Sequence, residues 1–272
     1  MNRRLLSNAL FYLIVAAIAL AVLFPFLWML SSSFKTQVDI ISWPPKIVFA
    51  PTLANYEKVF GEQDFLKYFV NSTIVGTCAV GLSLLLGLPA AYSIARFTQR
   101  KLAVFILLAR LMPGISFLMP WYIVFSRLDL MDSYTALILS HMLIALPIVV
   151  WIMSSYFATI PPEMEESAMV DGATRFGAFV RILLPLLGPG LVATSLFAFI
   201  LAWNEFIIAY VFLHTPQKQT LMVWLASFTT LRGTDWGPLM AGATLCALPV
   251  IIFFLLVQRR IAFGLTAGAV KG

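Results

Sequence analysis

The chain has 272 residues, of which 61% are hydrophobic and 11% charged, and its formal net charge is +6. Soluble domains are nearer to half apolar and a quarter charged, so this composition excludes a soluble globular fold. The basic residues lie between apolar runs and do not cluster on one face with aromatics, which argues against nucleic-acid binding and favours charges that set membrane topology.

Apolar runs long enough to cross a bilayer, which takes about 20 residues per helix, recur along the whole chain. They predict an all-α membrane protein, because lipid cannot satisfy the backbone groups of open strands and the alternating segments of a membrane barrel are missing from the sequence. Six transmembrane helices are predicted, at residues 10–31, 71–95, 102–125, 134–157, 187–213 and 237–258.

The first apolar run follows Arg3 and Arg4 and resembles a secretory signal in its basic start. It continues to Leu30, which is longer than the apolar core of a signal peptide. We therefore expect an uncleaved first span. The segment that follows, residues 32–70, contains turn signals such as Trp43-Pro44-Pro45 and is expected to form turns and a short helix.

Lys and Arg near the span ends collect on one side of the predicted membrane, which the positive-inside rule makes cytoplasmic. Both termini are then cytoplasmic. The residues concerned are Arg3, Arg4, Arg96, Arg100, Lys101, Arg175, Arg181, Arg259 and Arg260. Prolines within or near the spans predict kinks or breaks, at Pro25, Pro89, Pro113, Pro120, Pro147 and Pro249.

The connection between the fourth and fifth spans, Ile160–Phe176, is unusually polar for this chain. Pro162 suits a first helical position, acidic residues follow it at the positive end of the helix dipole, and Gly172 can take the left-handed conformation that ends a helix. A second helical stretch, 174–184, leads into the fifth span. The pattern predicts a cytoplasmic helix–turn–helix that docks into another protein. A helix lying on lipid headgroups is the alternative, but such helices favour Lys and Arg.

Residues Glu166–Ala173, followed by Ile182–Pro185, resemble the E-A-A-x-x-D-G-A loop of permease subunits in binding-protein-dependent ABC importers, with Ser167 replacing the first Ala. Further stretches resemble the carbohydrate-uptake subgroup, the maltose, glycerol-3-phosphate and polyol type. These are residues 51–56, 71–72, 90–97, 203–206 and 264–272.

The resemblance implies a single permease domain, 1–272, with a peripheral first helix (1–31), a core (71–260) and a cytoplasmic coupling loop (158–184). It implies a multi-pass protein of the bacterial inner membrane, working with a second permease, two copies of a cytoplasmic ATPase and a periplasmic or extracellular solute-binding protein. The C-terminal tail would approach the ATPase pair. The implied coupling residues are Glu166, Ser167, Ala168, Asp171, Gly172 and Ala173.

The implied function is ATP-driven import of a sugar, polyol or sugar derivative by alternating access. The sequence lacks the G-x-x-x-x-G-K-[ST] loop that cradles phosphates, so we expect no enzymatic activity, no cofactor and no metal here, with ATP and Mg bound by the partner ATPase. The alternative is an ion-coupled carrier or a channel that works alone. A third possibility is a membrane-embedded enzyme, but an active site needs a nucleophile with a base or a metal site, and the chain has only two His residues.

Ionisable residues within spans are unfavourable in lipid and are therefore candidates for function. Solute contact and structural contact are equally supported for Arg110 and Glu205, whereas for the aromatic residues the favoured interpretation is a place in the interfacial belt or in packing. For His141 a hydrogen bond between helices is the favoured interpretation. The candidates for pore or solute contact are Arg110, Asn204, Glu205, Trp121 and Tyr122.

Overall fold

The computed structural model describes the backbone of residues 2–269 and the side chains of residue 8 and of residues 10–258. The side chains of Arg3, Arg4, Arg259 and Arg260, which entered the topology prediction, lie outside the described residues, as do those of the C-terminal tail.

Helices make up nearly all of the regular structure, as the composition predicts. In chain order they are α1 (Asn2–Ser33), α2 (Gln37–Ile41), α3 (Ala54–Gly61), α4 (Phe65–Phe97), α5 (Arg100–Leu111), α6 (Leu118–Arg127), α7 (Tyr134–Thr159), α8 (Pro162–Val170), α9 (Arg175–Ala178), α10 (Leu184–Leu186), α11 (Gly188–Trp203), α12 (Ile207–Phe212), α13 (Leu221–Ala226) and α14 (Trp236–Ala269). Short 3₁₀ turns occupy Gly114–Phe117 and Pro216–Lys218, and a π-helical turn occupies Phe179–Leu183.

Within the described residues, four helices are long and apolar enough to cross a membrane. They are Leu10–Ser33, Phe65–Phe97, Tyr134–Thr159 and Trp236–Gln258. Two bent pairs bring the number to six if each pair forms one span: Arg100–Leu111 with Gly114–Arg127, bent by 95°, and Arg175–Leu186 with Gly188–Trp203, bent by 79°.

The first bend is explained by Pro113, because the residue before a proline is driven out of the helical region, and Met112 has ψ 130°. The other five prolines predicted to kink spans do not end helices: Pro25, Pro89, Pro120, Pro147 and Pro249 lie inside α1, α4, α6, α7 and α14. The predicted span 187–213 is not one continuous helix, because α11 ends at Trp203 and α12 begins at Ile207, with Asn204 and Glu205 between them.

The chain divides into two compact units. The first comprises residues up to Leu66 together with Trp224–Pro249. Its helix α1 exposes its apolar side chains, as a helix surrounded by lipid does. Asn55 ties the following segment to α1 by donating from Nδ2 to the carbonyls of Ser33 and Lys35, both at 2.8 Å.

The first unit also contains a hairpin of two short antiparallel strands, β1 (Thr229–Thr230) and β2 (Gly233–Thr234). Thr229 pairs with Thr234, and Thr230 pairs with Gly233. The all-α prediction did not include this hairpin, which is too short to carry a two-residue hydrophobic alternation.

The second unit comprises Lys67–Val223 and the residues from Val250 onwards. Its core surrounds α7, whose Val149, Met153 and Phe157 are completely buried. Helix α4 approaches α7 closely at Gly87, where an added Cβ would lie 2.7 Å from the Val149 Cγ1. This core positions the polar segment α8 to α10 that follows α7.

Candidate functional site

The predicted coupling helix corresponds to α8, and its two ends are formed by the residues that the sequence singled out. Pro162 is its first residue, where a missing N–H loses no helical hydrogen bond. At the other end Gly172 has φ +88°, and its N–H donates to the Met169 carbonyl at 3.1 Å. The Ala173 N–H donates to the Ala168 carbonyl at 3.0 Å. These two bonds are those of a Schellman motif, which ends the helix sharply.

Helix α8 has one side packed into the second unit and one side free. Glu165 and Ala168 are each 5% exposed, and their three-residue spacing places them on the same face. Glu166 and Ser167 are exposed, and so is Val170, with 87% of its surface free. An exposed apolar side chain beside a free carboxylate suits contact with another protein.

Glu165 is the centre of a charge cluster, which we define as Tyr92, Arg96, Glu165 and Arg175. The Tyr92 hydroxyl donates to Glu165 Oε1, and Arg96 Nε donates to Glu165 Oε2 at 3.2 Å. Arg175 Nε lies 3.7 Å from Oε1. Arg96 also donates from Nη1 to the Ile160 carbonyl at 3.0 Å. The cluster therefore joins α4, α8 and α9.

Aromatic rings support the cluster from the side of the core. The Tyr92 ring lies 5.1 Å from that of Phe179 and 5.7 Å from that of Phe157, between ring centroids. Phe157 and Phe179 stack on each other at 5.9 Å. Because Tyr92 is 8% exposed, its hydroxyl has little freedom to leave the carboxylate.

The second limb of the predicted helix–turn–helix begins with Thr174, whose Oγ1 accepts the Gly177 N–H at 3.0 Å and caps α9. The predicted stretch 174–184 is helical, with the π-helical turn Phe179–Leu183 in its middle. Phe176, on α9, is 75% exposed beside α8 and enlarges the free apolar surface.

The predicted coupling residues differ in how exposed they are. Glu166, Ser167, Asp171 and Gly172 are exposed and Ala173 is partly so. The Ala168 side chain is buried within this chain, so its predicted contact with a partner, which stays a prediction, would not be made by an exposed side chain. Glu165 was not singled out from the sequence, which shows two adjacent glutamates; only the distant Arg96 and Tyr92 distinguish Glu165 from Glu166.

The pore candidates are spread over several cavities of the second unit. Arg110 and Trp121 line one of about 350 Å³. Glu205 lines another of about 220 Å³, together with His141. Tyr122 lines a third, of about 310 Å³. Asn204 donates from Nδ2 to the Ile200 carbonyl of its own helix at 2.8 Å.

The expected hydrogen bond between His141 and another helix is not formed within the described part of the chain. His141 is 3% exposed, and neither Nδ1 nor Nε2 has a hydrogen-bond partner among the described residues. The interpretation of His141 as hydrogen-bonded between helices is therefore not supported within the described part of the chain.

The sequence of this chain is similar to a known family and to named relatives over most of its length. The profile of a family described as binding-protein-dependent transport system inner membrane component matches residues 83–266. The chain is 41% identical over 259 residues to the diacetylchitobiose uptake system permease protein of Streptomyces coelicolor, covering 93% of each. It is 35% identical over 268 residues to the trehalose/maltose transport system permease protein of Thermococcus litoralis, covering 96% of each.

Among solved structures, the fold is similar to that of a chain from a bacterial ABC transporter involved in the import of the acidic polysaccharide alginate. The TM-score is 0.77 and the sequence identity 20%, and the match covers 95% of this chain and 98% of the other. At this identity the likeness concerns the fold alone.

Proposed function

The chain belongs to the family of binding-protein-dependent transport system inner membrane components, and from this premise we propose that it moves a sugar or sugar derivative across the bacterial inner membrane. It is a permease subunit of an ABC importer and not an ion-coupled carrier or channel working alone. The observation that carries the sugar assignment is similarity, over nearly the full length, to permeases named for diacetylchitobiose and for trehalose and maltose. Polyols and glycerol phosphate remain within the proposed class.

The proposed partners are a second permease, two copies of a cytoplasmic ATPase, which bind ATP and Mg, and a solute-binding protein outside the membrane. The geometry of α8 supports the ATPase contact. Its exposed side presents Glu166, Ser167 and Val170, while Glu165 and Ala168 hold its other side to the core. A helix attached on one side and free on the other can pass a push from a partner into its own chain.

Transport then proceeds by alternating access, with closure of the ATPase pair moving α8. The charge cluster gives this movement a path into the membrane helices, because Glu165 is held by Arg96 and Tyr92 of α4. Breaking the contact would leave α8 able to move without α4. The coupling loop would then receive the push without transmitting it.

Both termini are proposed to be cytoplasmic. The contact between Arg96 and Glu165 places the end of α4 beside α8, so the basic connection between α4 and α5 lies on the same side as the coupling loop. The positive-inside rule and the proposed ATPase contact then agree on which side faces the cytoplasm.

Uptake into proteoliposomes tests the proposal. The complete complex should take up a sugar only with ATP on the ATPase side, and a protonophore should not abolish uptake. A thermal-shift screen of the solute-binding protein against trehalose, maltose, diacetylchitobiose, polyols and glycerol phosphate would identify the solute. Uptake driven by an ion gradient without ATP would contradict the proposal.

The coupling contact has its own test in Glu166→Lys. Reversing this exposed charge should weaken retention of the ATPase and lower uptake, while the variant still inserts into the membrane. Glu57→Lys, on α3 in the first unit, is a control with the same charge change. Full uptake by Glu166→Lys in cells would refute the docking role of α8.

A further inference from the structure

The cavity of about 220 Å³ in the second unit combines features of a binding site. It lies where α5 and α6 are separated by Pro113 and where α11 and α12 are separated by Asn204–Phe206. Its lining is apolar except for His141 and Glu205. A mostly apolar cavity with a few convergent polar groups is the usual form of a small-molecule site.

His141 supplies the unsatisfied group. A neutral imidazole carries one donor and one acceptor, and both ring nitrogens lack a partner among the described residues although the side chain is 3% exposed. Buried polar atoms are nearly always hydrogen-bonded, because burial removes their water without compensation. Both nitrogens are covered by neighbouring atoms in this conformation, so a polar group from outside the described chain would reach them once the imidazole turns toward the cavity that it lines.

Glu205 supplies a second, fixed group on the same cavity. Its carboxylate accepts the N–H groups of Ile208 at 2.8 Å and Ala209 at 3.1 Å, and so caps α12. Each carboxylate oxygen retains lone pairs beyond these bonds and can accept from a hydroxyl. These two hydrogen bonds fix the position of the carboxylate and leave some of its lone pairs free to accept further hydrogen bonds.

An aromatic surface adjoins this pair. The cavity of about 350 Å³ shares Gly114 and Ile144 with the first and is lined by Trp121 and Phe117. The two rings stack with centroids 5.4 Å apart. A sugar ring has an apolar C–H face and a rim of hydroxyls, so an aromatic face beside a paired donor and acceptor matches its chemistry.

We propose that His141 and Glu205 of this subunit bind hydroxyl groups of the transported sugar, with its ring directed toward Trp121. The proposal rests on the proposed function, since it needs a sugar that passes through the complex. It assigns part of the solute recognition to this subunit. A polar side chain of the partner permease, filling the same place, is the competing occupant.

The test compares wild type, His141→Phe and His141→Asn in the complete complex in proteoliposomes. The parent sugar in these assays is trehalose, maltose or diacetylchitobiose, according to which of them the complex takes up. The monodeoxy analogues of that sugar are the other probes. His141→Phe removes both hydrogen-bonding atoms, whereas His141→Asn keeps a donor and an acceptor. Ser140→Ala is the matched control, because Ser140 lies next to His141 in α7 and its hydroxyl donates to the Ala136 carbonyl at 2.8 Å.

For wild type, one deoxy analogue should be transported roughly 10-fold less efficiently than the parent sugar, the usual effect of one lost hydrogen bond in a buried site. His141→Phe should transport the parent sugar less efficiently than wild type by a similar factor. It should transport that deoxy analogue as efficiently as it transports the parent sugar. His141→Asn should recover part of the loss, and Ser140→Ala should behave as wild type. A structural role would lower uptake of all sugars by one factor.

The proposal would be overturned if each deoxy analogue lowered transport efficiency by the same factor in His141→Phe as in wild type. That result would support contact of His141 with the partner permease. Parent-sugar uptake by His141→Phe at the wild-type rate would also overturn the proposal. If His141→Phe does not assemble, judged by co-purification with the ATPase, the analogue series on His141→Gln decides in the same way. Failure of the wild type to take up any sugar, whether one of these three or one that the thermal-shift screen identifies, would refute the proposed sugar assignment first, and the His141 proposal with it.

Discussion

Two adjacent glutamates of α8 provide a sharp test of the charge cluster, because they have the same chemistry and opposite surroundings. The Glu165 side chain is 7% exposed and that of its partner Arg96 is 11% exposed. Glu166 is exposed and makes none of the ion pairs found among the described residues. The substitutions compared are Glu165→Gln and Glu166→Gln.

Removing one partner of a buried ion pair costs about 3–5 kcal/mol, since the other charge stays buried without compensation. We use about 3 kcal/mol, because Gln keeps a hydrogen-bonding oxygen for Tyr92. The contact with Arg175 adds little, as that side chain is 54% exposed. About 3 kcal/mol corresponds to a roughly 100-fold change in the equilibrium for detachment of α8.

Hydrogen exchange measures that equilibrium, because amide protection reports local opening. In the purified complex, peptides covering Pro162–Ala173 should exchange roughly 100-fold faster in Glu165→Gln and at the wild-type rate in Glu166→Gln. Sugar transported per ATP hydrolysed should fall in Glu165→Gln while the ATPase remains bound. Glu166→Gln should instead weaken ATPase retention. Equal exchange rates in the two variants would refute the anchoring role of Glu165.

Three further predictions follow from positions with clear local geometry. Gly172→Val should weaken ATPase retention, because a residue with a Cβ at φ +88° raises the free energy of this backbone conformation by about 1–2 kcal/mol. Steric contact is not the reason, since nothing lies within 4 Å of an added Cβ. Gly172→Asn should weaken retention less, because Asn adopts this conformation more readily. Gly190→Ala should lower the thermal midpoint of the purified permease, because the added Cβ would lie 2.8 Å from the Tyr156 ring. Gly188→Ala is the control and should lower it less, because its Cβ would have nothing within 4 Å. Asp132→Asn should lower the midpoint at pH 7, and the difference from wild type should shrink as the pH falls below about 4.

The pH prediction follows from the surroundings of Asp132, in the connection between α6 and α7. Hydrogen bonds from the Thr215 hydroxyl and backbone N–H hold the pKa of Asp132 well below its ordinary value. A carboxyl whose pKa is lowered on folding stabilises the fold above its unfolded pKa, and this contribution is lost as the pH falls toward the folded pKa. A constant difference between Asp132→Asn and wild type down to pH 2 would contradict this.

The remaining two predictions have equally direct tests. Equal ATPase retention by Gly172→Val and Gly172→Asn would show that the left-handed backbone at this position is unimportant. Equal thermal midpoints for Gly190→Ala and Gly188→Ala would mean that the Tyr156 ring moves aside freely, and that the close approach of α11 to α7 is not tightly packed.

Sequence alone predicted the helical membrane fold, because long apolar runs and the backbone's need for internal hydrogen bonds leave few other solutions. It also predicted both ends of α8, since capping by Pro162 and Gly172 depends on residues within one turn. The break at Pro113 followed from the same local rule. The break at Asn204 to Phe206 could not be predicted in this way, because no proline marks it. Glu205, within the break, caps α12 by accepting the Ile208 N–H.

What only the tertiary structure decided is which side of each element faces which neighbour. Glu165 and Glu166 are equivalent in a sequence, and the distinction comes from Arg96, 69 residues earlier in the chain, which packing brings to Glu165. His141 looked like a residue with a partner on another helix, and its lack of one within the described chain is a property of the assembled core. The local code sets helices and their ends, while contacts between residues far apart in sequence determine which charges are buried and which remain free.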